Sequence, residues 1–203
     1  MLRAQPPTHR PIWMVVLAAT MLLSGGLTLV SGLLLVRDPR AAVRHTIHNV
    51  PRTPAVEEAV RKLEPILDGI VERHRTGLRI DAIAMVGFGL FTLYAVAAVL
   101  SRDRNGRRLA VLTAVFGIVY QLAELPLSVS IAKETVALAG PLLADIIIAA
   151  GDAAGRSQAE LVAALNTTAA RSPLFAVIGL GWCLLLLIYF GGRRGRELYG
   201  LRR

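Results

Sequence analysis

Residues 109–132 read LAVLTAVFGIVYQLAELPLSVSIA, an apolar stretch with one charged residue, Glu124. A helix needs about 20 apolar residues to cross the roughly 30 Å hydrocarbon core of a bilayer. This stretch is long enough, and three others also qualify: residues 11–36, 80–100 and 172–192. The sequence therefore predicts an all-α integral membrane protein, a four-helix transmembrane bundle with helical loops outside the cytoplasm.

The composition of the 203-residue chain agrees with this prediction. Hydrophobic residues make up 54% of the chain and charged residues 18%, whereas soluble domains are about a quarter charged. These values argue against an ordinary soluble domain, a disordered chain and a disulfide scaffold. The single cysteine, Cys183, lies in an apolar run and cannot form an intramolecular disulfide.

The basic residues predict an orientation. The formal net charge is +9, and arginines cluster beside the apolar stretches. The positive-inside rule favours cytoplasmic tails at 1–10 and 193–203, with outer loops at 37–79 and 133–171. Arg37, directly after the first span, opposes this orientation. We expect one membrane domain over residues 1–203, in the plasma (inner) membrane of a bacterium, since arginine far outnumbers lysine.

Both outer loops carry helix signals. Thr53 and Pro54 are typical of an N-cap with proline at the first helical position. Ser157 and Glu160 form a capping-box pattern. The apolar stretch 135–151 predicts a separate kinked helix outside the membrane or in its interface, with re-entrant insertion as the alternative. The loops are interpreted either as a protective cap or as a docking surface or sensor.

Glu124 is the strongest candidate for a functional residue. A charge in the membrane interior costs on the order of a few kcal/mol, so this carboxyl must face the bundle. Gln121 and Tyr120 lie on the same helical face, and Asp81 enters the second span from the same side. Three interpretations stay open: a structural polar cluster, a proton- or cation-linked transport site, and a ligand or partner site open to the outer face.

Small and polar residues at helical spacing favour one face of the spans. In the first span these are Thr20, Ser24, Thr28 and Gly32. Such residues let helix backbones approach each other, and their hydroxyl groups can hydrogen-bond across the contact. We expect these stripes to lie between packed helices.

Motifs for catalysis and for cofactor binding are not found in the sequence. It contains no P-loop, no G-x-S-x-G, no H-E-x-x-H and no C-x-x-C. His45 and His48 are weak candidates for metal ligands, because a zinc site needs three or four ligands in fixed geometry. The sequence predicts neither an enzyme, nor a cofactor, nor nucleic-acid binding.

Two functions remain. The first is a non-enzymatic accessory or scaffold subunit that acts by helix association. Its expected partners are the lipid bilayer and either another membrane protein or a second copy of this chain. The alternative is a small proton- or cation-linked transporter or channel that uses Glu124 and Asp81.

Overall fold

A computed structural model describes residues 12–39, 53–101, 103, 105–151, 155–170 and 173–199. Within these ranges the chain is helical and contains no strand, which confirms the all-α fold class. The helices are α1 (Ile12–Arg37), α2 (Pro54–Arg73), α3 (Arg75–Leu100), α4 (Gly106–Ala149), α5 (Gln158–Ala170), α6 (Pro173–Gly191) and α7 (Arg193–Leu198).

Three helices, α1, α3 and α4, are long and apolar enough to cross a membrane. The fourth predicted span corresponds to α6, whose 19 residues reach about 29 Å at 1.5 Å per residue. Its apolar part, Ala176–Gly191, is shorter than the other three helices. The chain is therefore a membrane protein with three long apolar helices and one shorter one among the described residues.

Helix α4 is longer than predicted. Its 44 residues correspond to about 66 Å, twice the thickness of the hydrocarbon core. The predicted third span at 109–132 and the stretch 135–151 belong to this one helix, so the prediction of a separate helix at 135–151 is wrong. Pro126 and Pro141 both lie inside it. A proline removes one backbone donor, but the side-chain packing around the second half of α4 keeps the helix continuous.

The chain divides into two compact units. The first unit comprises Met1–Gly32, Ile83–Leu122 and Val177–Arg203, and the second comprises Leu33–Ala82 and Ala123–Ala176. Helix α4 contributes its beginning to the first unit and its remainder to the second.

The core of the first unit is an apolar cluster of buried side chains. Met21 and Phe190 are fully buried, and they pack with Met14, Val99 and Leu186. Close helix contacts extend this core. A Cβ built on Gly25 of α1 would lie 2.9 Å from Cγ2 of Thr92 on α3, so only a glycine permits this approach.

The second unit is built on the second half of α4. Helix α2 lays its apolar face there, where Leu63 and Ile70 pack with Ala139 and Ile146. The stretch 135–151 is thus apolar because it supplies the core of this unit. Thr53 caps α2 by accepting a hydrogen bond from the backbone N–H of Val56 at 3.3 Å, as predicted.

The start of α5 also follows the prediction. Oε2 of Glu160 accepts hydrogen bonds from the backbone N–H and from Oγ of Ser157, at 2.7 and 3.0 Å. These bonds lower the pKa of Glu160 below its ordinary value, the backbone bond having the larger effect. The capping box is confirmed.

Candidate functional site

Asp81 and Glu124 both lie in the second unit, on α3 and α4. Both are half-buried, and each has an interaction partner. Helices α3 and α4 pack closely together about one helical turn from these two residues. A Cβ built on Gly77 would lie 3.0 Å from Cδ1 of Leu127.

The register of this contact relates the two carboxyl groups. Helices α3 and α4 are joined by a short connection and run antiparallel. Asp81 follows Gly77 by one turn, and Glu124 precedes Leu127 by one turn, so both steps lead in the same direction along the helix pair. The two carboxyl groups therefore lie at the same level of the α3–α4 pair.

Tyr120 and Gln121 lie in the first unit. The ring of Tyr120 stacks on Phe88 of α3, with 5.8 Å between the centroids and an interplanar angle of 17°. The amide of Gln121 packs against Gly179 of α6, where an added Cβ would lie 2.8 Å from Nε2. The four predicted residues are thus divided between the two units.

Three hydroxyl groups in the long apolar helices form hydrogen bonds within their own helix. Thr20 and Ser24 donate to carbonyl oxygens of their own helix, at 2.9 and 3.1 Å from Leu17 and Met21 respectively. Thr113 donates in the same way to Leu109. These three hydroxyl groups thus donate within their own helices, because the intrahelical carbonyl one turn back is the nearer acceptor. Their helices are held to their neighbours by side-chain packing.

The buried face of α1 is also offset from the predicted stripe. Met21 and Gly25 are buried, whereas Ser24 is exposed. Gly32 is the member of the predicted stripe that is buried. The large methionine side chains bury more apolar area than the hydroxyl residues do, so they determine the orientation of α1.

A polar cluster that the sequence did not predict joins α2, α3 and α4 within the second unit. Nε2 of His74 lies 2.7 Å from Oε2 of Glu134, and Arg73 forms an ion pair with the other carboxylate oxygen. His74 is the C-cap residue that follows α2, and α3 begins at the next residue. Glu134 therefore ties the α2–α3 corner to α4.

The carboxylate of Glu134 is stabilised in its charged form. It lies beyond the predicted span at 109–132, and the hydrogen bond with His74, followed by the charge of Arg73, lowers its pKa below the ordinary value of 4.5. His74 and Glu134 are 60 positions apart. No local spacing relates them, which is why sequence patterns alone do not reveal the cluster.

The weak metal candidates, His45 and His48, lie outside the described residues. In the part of the chain that the structure describes, no group of three or more His, Cys, Asp or Glu side chains has the arrangement of a metal site. Cys183 is buried in the first unit, where it packs against Gly117.

The long apolar helices and their packed apolar core are those of a helical membrane protein. The chain belongs to the family described as predicted membrane protein (DUF2127), whose model matches residues 13–150. The match includes Asp81, Glu124 and the His74–Glu134 contact. No curated protein and no solved structure matches the chain.

Proposed function

We propose that this membrane protein is a non-enzymatic accessory or scaffold subunit that acts by helix association in the bilayer. The observation that supports this proposal is the apolar core of the first unit. Met14, Met21 and Phe190 are at most 1% exposed there. A transport path needs polar groups along its length, whereas the buried residues of this core cluster are all apolar.

The outer faces of the same unit favour association. Each of its four apolar helices turns a large apolar side chain outward, exposed by more than half: Leu27 on α1, Tyr94 on α3, Phe116 on α4 and Ile188 on α6. These faces contact either lipid or the helices of a partner. Close glycine contacts between helices, at Gly25, Gly89, Gly117 and Gly179, are already made within the chain.

Site-specific photocrosslinking tests the proposal. A photoreactive amino acid replaces Leu27, Tyr94, Phe116 or Ile188 in turn, and the buried Met21 is the matched control. We expect at least one outward position to yield a protein adduct of discrete mass in native membranes, and Met21 to yield none. Lipid adducts alone from all four outward positions would contradict the proposal.

The alternative, a small proton- or cation-linked transporter or channel, is favoured by one observation. Asp81 and Glu124 lie at the same level of the α3–α4 pair, as the Gly77–Leu127 contact indicates. Flux into proteoliposomes measures this alternative directly. A proton or cation flux that Glu124→Gln abolishes and that Glu64→Gln on the exposed face of α2 leaves intact would support it.

A further inference from the structure

One end of the first unit is held together by an arginine. Nε of Arg107, in the first turn of α4, donates to the carbonyl of Phe190 at 2.7 Å, and Nη2 donates to the carbonyl of Gly191 at 3.2 Å. The last carbonyl groups of a helix lack intrahelical donors and carry partial negative charge. Arg107 therefore caps α6 and brings the start of α4 to the end of α6.

This contact gathers further arginines at the same end. Arg108 follows Arg107 on α4, and Arg193 and Arg196 lie on α7, directly after α6; all three are exposed. We call these three residues the arginine end. Arg193 also has an interaction partner within the chain. The carboxylate of Asp103, in the α3–α4 connection, accepts the backbone N–H of Asn105 at 3.0 Å.

The start of α1 lies at the same end of the first unit as the arginine end. Met14 of α1 packs in one core cluster with Phe190 at the end of α6, so the start of α1 is at this same end. Trp13 is 64% exposed there. Exposed tryptophan next to arginine is typical of the headgroup region of a bilayer.

We propose that the arginine end binds the headgroup phosphate of anionic phospholipids from the surrounding bilayer. The guanidinium fork matches two phosphate oxygens at once, which an ammonium group cannot do. The Arg107 contacts hold the start of α4 at the end of α6, so the three exposed arginines lie at one end of the first unit and offer several donors to phosphate groups there. Each arginine near an anionic surface strengthens binding by about fivefold.

Lipid retention tests this inference. The full chain is reconstituted in an equal mixture of phosphatidylglycerol and phosphatidylcholine, extracted in neutral detergent, and the lipids that remain bound are counted by mass spectrometry. We expect phosphatidylglycerol to be enriched on the natural chain. The triple variant Arg108→Gln, Arg193→Gln, Arg196→Gln should retain the two lipids in their mixing ratio.

A matched control variant removes the same number of positive charges from residues far from the arginine end in the sequence. The variant Arg61→Gln, Lys62→Gln, Arg156→Gln alters three exposed residues of the second unit and should keep the enrichment. Equal losses in both triple variants would overturn the proposal, because bulk charge alone would then account for binding. So would a natural chain that retains both lipids equally.

Two further measurements complete the test. If the triple variant does not fold, Arg108→Gln and Arg193→Gln are measured singly, and each should lower the enrichment about fivefold. Inorganic phosphate is compared with chloride at matched ionic strength. Release of the lipid by phosphate alone would overturn the proposal by identifying a site for the free anion, and equal effects of the two salts would support a lipid headgroup site.

Discussion

Gly117 of α4 lies directly against Cys183 of α6: a Cβ built on the glycine would stand 2.6 Å from Sγ of the cysteine. Such a distance leaves no room for a side chain. The contact brings the two helix backbones together in the first unit, as small residues do in membrane bundles. It explains why Cys183 is buried and why its role is one of packing.

Replacement of Gly117 should therefore destabilise the protein. We expect Gly117→Val to lower the free energy of unfolding by about 1–3 kcal/mol, because the added methyl groups force α4 and α6 apart. The control is Gly87→Val on α3, where nothing lies within 4 Å of an added Cβ. Unfolding in a detergent titration measures both variants. Equal stability of the two would show that the α4–α6 contact is not tight.

Arg107 should stabilise the end of α6. We expect Arg107→Gln to lower the free energy of unfolding by about 1–2 kcal/mol, since it removes a charged donor from the carbonyl groups of Phe190 and Gly191. Hydrogen exchange of the last turn of α6 should become faster. Arg108→Gln, the exposed neighbour, should leave this exchange unchanged in neutral detergent. Equal acceleration in both variants would contradict the capping role.

The apolar face of α2 should hold that helix on α4. Leu63 is fully buried in the core of the second unit, so Leu63→Ala should cost about 2–5 kcal/mol through the cavity it leaves. Glu64→Ala, one residue further on and exposed, is the control. Limited proteolysis of α2 reports the difference. Unchanged cleavage in Leu63→Ala would argue that α2 does not pack on residues 135–151.

Glu134 should make stability depend on pH. Its pKa is lower in the folded protein than in the unfolded chain, mainly through the hydrogen bond with His74. Its stabilising contribution is therefore complete above the ordinary value of 4.5 and is lost as the pH falls below that value. We expect Glu134→Gln to unfold at a lower temperature than the natural chain at neutral pH, and the two curves to converge in acid.

The comparison for this experiment is Glu64→Gln, a change of the same charge on the exposed face of α2. Its unfolding temperature should follow that of the natural chain across the pH range. A difference between the natural chain and Glu134→Gln that stays constant into acid would mean that the carboxylate of Glu134 is not the stabilising group.

The membrane class and the helix starts could be predicted because their signals are local. Apolar length predicts the spans, and the side chains of Thr53 and Ser157 form hydrogen bonds at the starts of α2 and α5. The continuity of α4 could not be predicted in this way. The apolar stretch 135–151 fits a membrane helix and a buried core helix equally well, and the packing of α2 on this stretch decides between them.

The polar contacts illustrate the same limit. Glu124 stands out in sequence because it is a single charge in an apolar run. Glu134 does not, although it forms an ion pair with Arg73 and a hydrogen bond with His74. Contacts between residues far apart in the chain depend on which helix faces meet, and helical spacing alone does not encode that. The same reason explains why the buried face of α1 follows Met21 and Gly25 and not Ser24.

The proposed function is tested most directly by the mass of the assembly in its native membrane. The chain, expressed at its natural level and extracted in mild detergent, is weighed by native mass spectrometry against its own mass of 21.8 kDa. We expect a complex that contains a second polypeptide at a fixed ratio. A complex of this chain alone, together with an ion flux that Glu124→Gln abolishes, would contradict it and establish the transporter instead.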